Sequence, residues 1–180
     1  MIAISWGGHR ARVWLDELPD WRLAMVEVLE RRRDVAGFSA IAERSAAIEL
    51  VVATGPRAYY GALGATFMPA STMQLVARVP LSEHAGRILV GSLAGRADVA
   101  RVGLPGEFAH AVAAGLLSDD ASGALGSGTV CCRCAAWAPV GSSAWLFEGL
   151  GRLVVKLLSL DRQSASEETL MSLVQAELGR

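Results

Sequence analysis

Three cysteines fall within one octapeptide, VCCRCAAW, residues 130 to 137. Thiols this close together suggest metal ligation or nucleophilic chemistry. On a regular strand, Cys132 and Cys134 point one way and Cys131 the other. Structural zinc takes four ligands, and His9, His84 and His110 are remote in sequence. Burial as small hydrophobes is the plainer expectation. A reactive thiol would need a lowered pKa. His110 lies one turn from Glu107, where it can act in acid–base chemistry or simply decorate a surface. His110, Cys132, Cys134 and Trp137 together define one candidate pocket. Asp119 and Asp120 read as a solvated loop pair. The motifs GxSxG, HExxH and GxGxxG do not occur. No cofactor is implied, and no hydrolase or dinucleotide site is indicated.

The chain that must position these groups has 180 residues, of which 52% are hydrophobic and 19% charged. That composition predicts a packed globular fold. The net charge of −1 shows no basic excess of the kind a free nucleic-acid binder carries. All basic residues except Lys156 are arginine. The clustered, odd-numbered cysteines suit a reducing compartment. The N-terminus lacks the apolar region of a signal peptide. The stretch LGRLVVKLLSL is broken by Arg152 and Lys156 and is too short to span a bilayer. A cytoplasmic location without membrane contact is the expectation.

Alternating apolar residues predict two strands, MIAISW and RARVWL, joined at Gly7-Gly8. Pro19-Asp20 then predicts the start of a helix over 21–33, with Trp21, Met25, Val28 and Leu29 on one face and Arg31 to Arg33 closing it. VAGFSAIAE predicts a strand. So do AAIELVVAT, YYGALGATFM and TMQLVARV, separated by Gly55-Pro56 and by Pro69-Ala70-Ser71. Ser82 suggests a cap for a short helix, EHAGRILVGSL, and ADVARV suggests a strand. GLPGEFAHAVAAGLL predicts a slim helix that sits close against a sheet as a strut, with Phe108, Val112, Gly115 and Leu116 on one side. SDDASGALGSG reads as a loop and TVCCRCAAWAPV as a strand. Ser142-Ser143 can cap a mostly buried helix, AWLFEGLGRLVVKLLSL, whose polar stripe is Glu148, Arg152 and Lys156. Ser164-x-x-Glu167 reads as a capping box opening a C-terminal amphipathic helix.

The pieces IELVV, GPRAYYGALG, LPGEFAHAVAAGLL, SGALGSGTVCCRC and APVGSSAWLFEGLGRLVVKLL follow one another over residues 46–160. In this order they resemble the fourth domain of elongation factor G and of the tetracycline ribosomal protection proteins. The resemblance implies an α+β, ribosomal protein S5 domain 2-like fold: a four-stranded sheet with two helices on one face. Residues 1–45 would add a small N-terminal β-α-β piece, similar to the end of the factor's third domain. Residues 161–180 would add a C-terminal helix. Residues 80–103 would be an insertion. No GxxxxGK[ST] occurs, so GTP is not an expected ligand.

In that family the far end of the domain reaches the decoding region of the small ribosomal subunit through two loops. The resemblance places them at Gly55 to Gly61 and at Pro139 to Ser143. It implies RNA contacts from Arg57, Tyr59, Tyr60, Gly61, Pro139, Val140, Ser142 and Ser143. Arginine would meet phosphate, tyrosine would stack on an unpaired base, and the helix start behind Ser142-Ser143 would hold a phosphate oxygen. The bland alternative is a hairpin turn and an ordinary cap. Trp137 and Trp145 flank the second loop, where they can floor a pocket or join the core, as can Trp6, Trp14 and Trp21. Three readings stay open: a stand-alone translation-factor-like module binding ribosome or RNA, a small enzyme or small-molecule binder using the Cys/Trp strand 131–145, and a homodimer assembled through the C-terminal helix or a sheet edge.

Overall fold

Gly7 and Gly8 turn the chain with φ of 49° and 88°, a conformation that suits a two-residue hairpin loop. They join β1 (Ile2–Trp6) to β2 (His9–Leu15), as the alternation predicts. The computed structural model describes residues 1–23, 27–82, 86–95 and 98–178. Further strands are β3 (Glu27–Asp34), β4 (Arg44–Thr54), β5 (Arg57–Pro69), β6 (Gln74–Leu81) and β7 (Arg101–Val102). Helices α1 (Gly106–Leu116) and α2 (Asp119–Leu125) follow, then β8 (Gly128–Trp137), α3 (Ala144–Ser159) and α4 (Glu167–Leu178).

The architecture is α+β, with one mixed, mostly antiparallel sheet. Its order is β1-β2-β4-β5-β8-β6-β3, and β7 pairs with the far end of β8. The sheet thus has eight strands among the described residues, where four were expected. The additional strands come largely from the N-terminal residues, which supply both outer edges. Strand β2 pairs with β4 on one side, and β3 pairs with β6 on the other. Only β6 and β8 run parallel, with α1 and α2 in the connection between them.

The predicted helix over 21–33 does not form in its described part. Leu23 N–H donates to Arg133 O at 2.8 Å, and residues 27–34 are strand. All eight residues of β3 find ladder partners on β6, from Glu27 opposite Leu81 to Asp34 opposite Gln74. This continuous pairing overrides a helical spacing of apolar side chains. Met25 lies outside the described residues. The predicted strand over 35–43 is also absent; the segment makes an isolated bridge between Phe38 and Ser127, bonds Val35 N–H to Met73 O at 3.0 Å, and packs Val35 and Ile41 on the core. Of the predicted helix at 83–93, Glu83, His84 and Ala85 lie outside the described residues. Its described part is non-helical, bridging Ile88 to Arg101 and turning at Gly91. Only Arg101 and Val102 of ADVARV are strand, and Ala97 lies outside the described residues. The expected loop after α1 contains α2, which begins with Asp119 and Asp120.

All four α-helices contribute to one apolar core against one face of the sheet, including Ile48, Leu63, Phe67, Val112, Phe147, Leu150 and Leu170. Helix α1 packs on α3 at backbone distance. A Cβ placed on Gly115 would strike the Glu148 carbonyl oxygen, and one on Gly151 would meet the Val112 carbonyl oxygen at 2.8 Å. The slimness legible in α1 therefore serves the helix–helix contact. Ser143 caps α3, accepting from Leu146 N–H at 3.3 Å. The polar stripe of α3 faces α4: Arg152 pairs with Glu148 at 2.7 Å and Glu177 at 2.8 Å, and Lys156 also pairs with Glu177. Helix α4 is capped by Ser166 rather than Ser164, with Thr169 N–H donating at 3.1 Å. Its apolar residues Leu170, Val174 and Leu178 are buried within the chain. At roughly 1.5–3 kcal/mol each, that burial already employs the face a helix-mediated homodimer would use. No described helix is long and apolar enough to cross a membrane.

Candidate functional site

The second face of the sheet carries a smaller cluster and no helix among the described residues. Ala47, Val51, Tyr60, Ala62, Cys134 and Ala136 form its floor, and Trp21, Leu93, Ala100 and Val102 cover it. Small residues leave room here. A Cβ on Gly64 would meet Ala47 Cβ at 2.6 Å and Leu18 Cδ2 at 3.2 Å. The cover is chain rather than helix: the 16–23 segment on one side and the strap of residues 86–95 on the other.

Two clefts open on this side. The first, about 460 Å³, lies at the end of the β4–β5 hairpin and is lined by Pro56, Arg57, Tyr59, Tyr60, Asp98 and Val140 among others. Here the two predicted loops meet. Tyr60 N–H donates to Gly141 O at 2.9 Å, and Ser142 Oγ donates to Tyr60 O at 2.7 Å. Ala138 N–H donates back to Ser142 Oγ at 2.9 Å. Arg57 is exposed and makes no ion pair with a described residue. Pro139 is exposed, and Val140 is 85% exposed. Trp145 is 44% exposed, and its ring meets Tyr59 edge-on at 6.2 Å. Gly61 is buried against Leu146 and Leu150 of α3, so it supports the loop from within.

One expectation for this edge needs correction. Tyr60 is only 2% exposed and offers no free ring face for stacking. Its phenol O–H instead donates to Glu49 Oε1 at 3.1 Å. Asp98, which no motif marks, accepts from Val140 N–H at 3.1 Å and Gly141 N–H at 2.6 Å. The carboxylate of Asp98 thus takes the N–H groups of Val140 and Gly141 ahead of the cap, and Ser143 Oγ takes that of Leu146.

The second cleft, about 350 Å³, lies on the same face over β2 and β4. Its floor is Arg12, Trp14 and Glu49 on neighbouring strands, since Arg12 stands opposite Glu49 in the β2–β4 register. Glu49 is 1% exposed, and both its oxygens are engaged. Oε1 accepts from Tyr60 O–H and from Leu93 N–H at 2.7 Å, while Oε2 accepts from Arg12 at 3.1 Å. Arg12 also donates to Gly91 O at 2.9 Å, and Arg10 to Leu93 O at 2.9 Å. A buried carboxylate survives only when so satisfied. This one ties the strap to the sheet. Burial, followed by the adjacent Glu49 charge, pushes the Tyr60 phenol far above its ordinary value. Sequence reading passed over Glu49. Its signal is a lone acid inside the apolar run AAIELVV, on a strand next to one bearing Arg12.

The candidate pocket of His110, Cys132, Cys134 and Trp137 is dispersed. A β-bulge breaks the β5–β8 register: Gly64 pairs with Cys134 and Ala65 with Cys132, leaving Arg133 as the extra residue. One inserted residue reverses the alternation beyond it. Cys132 consequently joins the core beneath the helices, while Cys134 joins the cluster on the opposite face. They do not point the same way, as a regular strand would require. Burial pushes both thiols up, Cys134 to about 12. His110 is exposed on α1, and Trp137 leans on Phe108 at 6.2 Å. Among the described residues, no group of three or more His, Cys, Asp or Glu is placed to hold a metal ion. No family model, curated protein or solved structure matches this chain.

Proposed function

We propose that the protein is a non-enzymatic binding module that engages unpaired RNA, such as a ribosomal RNA loop, through the edge where residues 55–61 meet 139–145. The observation that carries this reading is the joining of the two loops by the Tyr60–Gly141 and Ser142–Tyr60 hydrogen bonds beside an unpaired Arg57. The S5 domain 2-like reading is supported by α1 and α3 lying together on one face of the sheet, with β4, β5, β8 and β6 adjacent. On this reading the work is divided differently from the sequence expectation. Trp145 and Tyr59 supply the stacking surface, Arg57 the phosphate contact, and exposed Val140 an apolar wedge. Tyr60, Gly61, Ser142 and Ser143 shape the edge without touching RNA.

The test is binding of small ribosomal subunits, and of an unstructured RNA oligonucleotide, across a salt series. Trp145→Ala should weaken binding roughly tenfold, the loss of about one stacked base. Arg57→Ala should flatten the salt dependence by about 0.7 in the log–log slope, the share of one phosphate on a single strand. Binding that both variants leave intact would remove the edge as the RNA site.

A further inference from the structure

The cleft at the end of the β4–β5 hairpin holds two residues of opposite charge, Arg57 and Asp98, which form no ion pair with each other. Asp98 uses its two oxygens unequally. Oδ2 accepts from Val140 N–H at 3.1 Å and from Gly141 N–H at 2.6 Å, while Oδ1 accepts from no described residue. Two bonds to one oxygen fix the carboxylate. The other oxygen keeps both lone pairs for a ligand. The rest of the lining is small, apolar and reachable. Ala58 and Val140 are exposed, Ala94 is half-buried like Asp98 itself, and Val51 closes the cleft from within. A volume of about 460 Å³ lies in the range of small-ligand clefts and admits a purine.

We propose that this cleft takes one base of the bound RNA and selects guanine, with Asp98 Oδ1 reading the Watson–Crick edge; the inference rests on the RNA reading of this edge and adds a sequence preference to it. Guanine alone sets two donors side by side on that edge, N1–H and the 2-amino group. Adenine and cytosine place a ring-nitrogen acceptor beside their amino donor, and uracil flanks its single N–H with two carbonyl oxygens. Each of those acceptors would face a carboxylate lone pair in a partly desolvated site, where unmatched polar groups are costly. The apolar lining accepts the face of any base, so discrimination falls to Asp98. Arg57 keeps its contact to phosphate.

Fluorescence anisotropy with short oligouridine strands carrying one central guanosine, adenosine or cytidine tests the proposal. The guanosine strand should bind about tenfold more tightly than the other two. Asp98→Asn separates reading from scaffolding. The N–H groups of Val140 and Gly141 still require an oxygen, so the loop stays held and the amide nitrogen takes the place of Oδ1. A donor then faces the guanine donors. The variant should weaken the guanosine strand about tenfold and leave the adenosine and cytidine strands nearly unchanged. Equal affinity for the three strands, a guanosine preference that survives Asp98→Asn, or an equal loss on all three in that variant would each overturn guanine selection while leaving the edge in place. Strand binding that Trp145→Ala does not weaken would remove the edge itself, and the base site with it.

Discussion

On one face of the sheet, α1 and α3 meet through Gly115 and Gly151 over a layer made of valine, leucine, isoleucine, phenylalanine and alanine. On the other, the strap of residues 86–95 is held down by a carboxylate and two guanidinium groups, and the 16–23 segment by backbone bonds from Asp16 N–H to Ser45 O and from Leu23 N–H to Arg133 O. The first face is stabilised by apolar area and close packing, which are non-directional and abundant. The second depends on a few directional bonds, each needing a named partner. Function is expected on the side where chain segments, rather than helices, form the cover, because such cover leaves clefts and can be reshaped locally.

The contrast predicts a ranking of effects. Gly115→Ala forces a methyl group into the Glu148 carbonyl and should cost about 3 kcal/mol, lowering the thermal midpoint by about 10 °C. A midpoint within a degree of the parent would show that α1 and α3 are not in backbone contact. Glu49→Leu should cost about 2 kcal/mol, because Tyr60 and Arg12 lose their acceptor and the strap loses its anchor. Amide exchange separates this from a general loosening. Leu93 N–H should exchange much faster in the variant, whereas the amides of α3 should change only in step with global stability.

The smallest effect is the most diagnostic. Tyr60→Phe should cost only about 1 kcal/mol at neutral pH, the value of one hydrogen bond. Its signature lies in alkali. The folded state keeps the phenol protonated, whereas the unfolded chain releases that proton above the ordinary value of 10.0. The contribution is therefore whole below pH 10 and is lost as pH rises, at about 1.4 kcal/mol per unit. Denaturant unfolding between pH 9 and 11 should show a slope shallower by one proton in the variant. Identical slopes would mean that Tyr60 is not buried beside Glu49.

The helix-covered face was largely readable in the sequence. Its strands are long apolar runs bounded by Gly and Pro, and α1 and α3 open where Pro105 and Ser143 indicate, so local signals and global fold agree there; the cap of α4 falls on Ser166 and not on Ser164. The other face was not. Residues 21–33 space their apolar side chains as a helix would, yet strand pairing with β6 decides their conformation, and pairing is a property of the partner. The bulge at Arg133 likewise arises from register against β5 and has no local mark, so the cysteines were assigned to the wrong faces. For the site, the two tip loops were located as neighbours. Which residues on them are free was hidden, because Tyr60 is turned inward to Glu49, eleven positions away, and Asp98 takes the N–H groups of Val140 and Gly141.

Strand β3 leaves one rim of the sheet without a partner. Six of its eight residues, Glu27, Glu30, Arg31, Arg32, Arg33 and Asp34, are charged. Growth by addition of a second chain there would force those side chains to surrender their water with no assured counter-ion. The β3 rim is thereby screened against fibrous association.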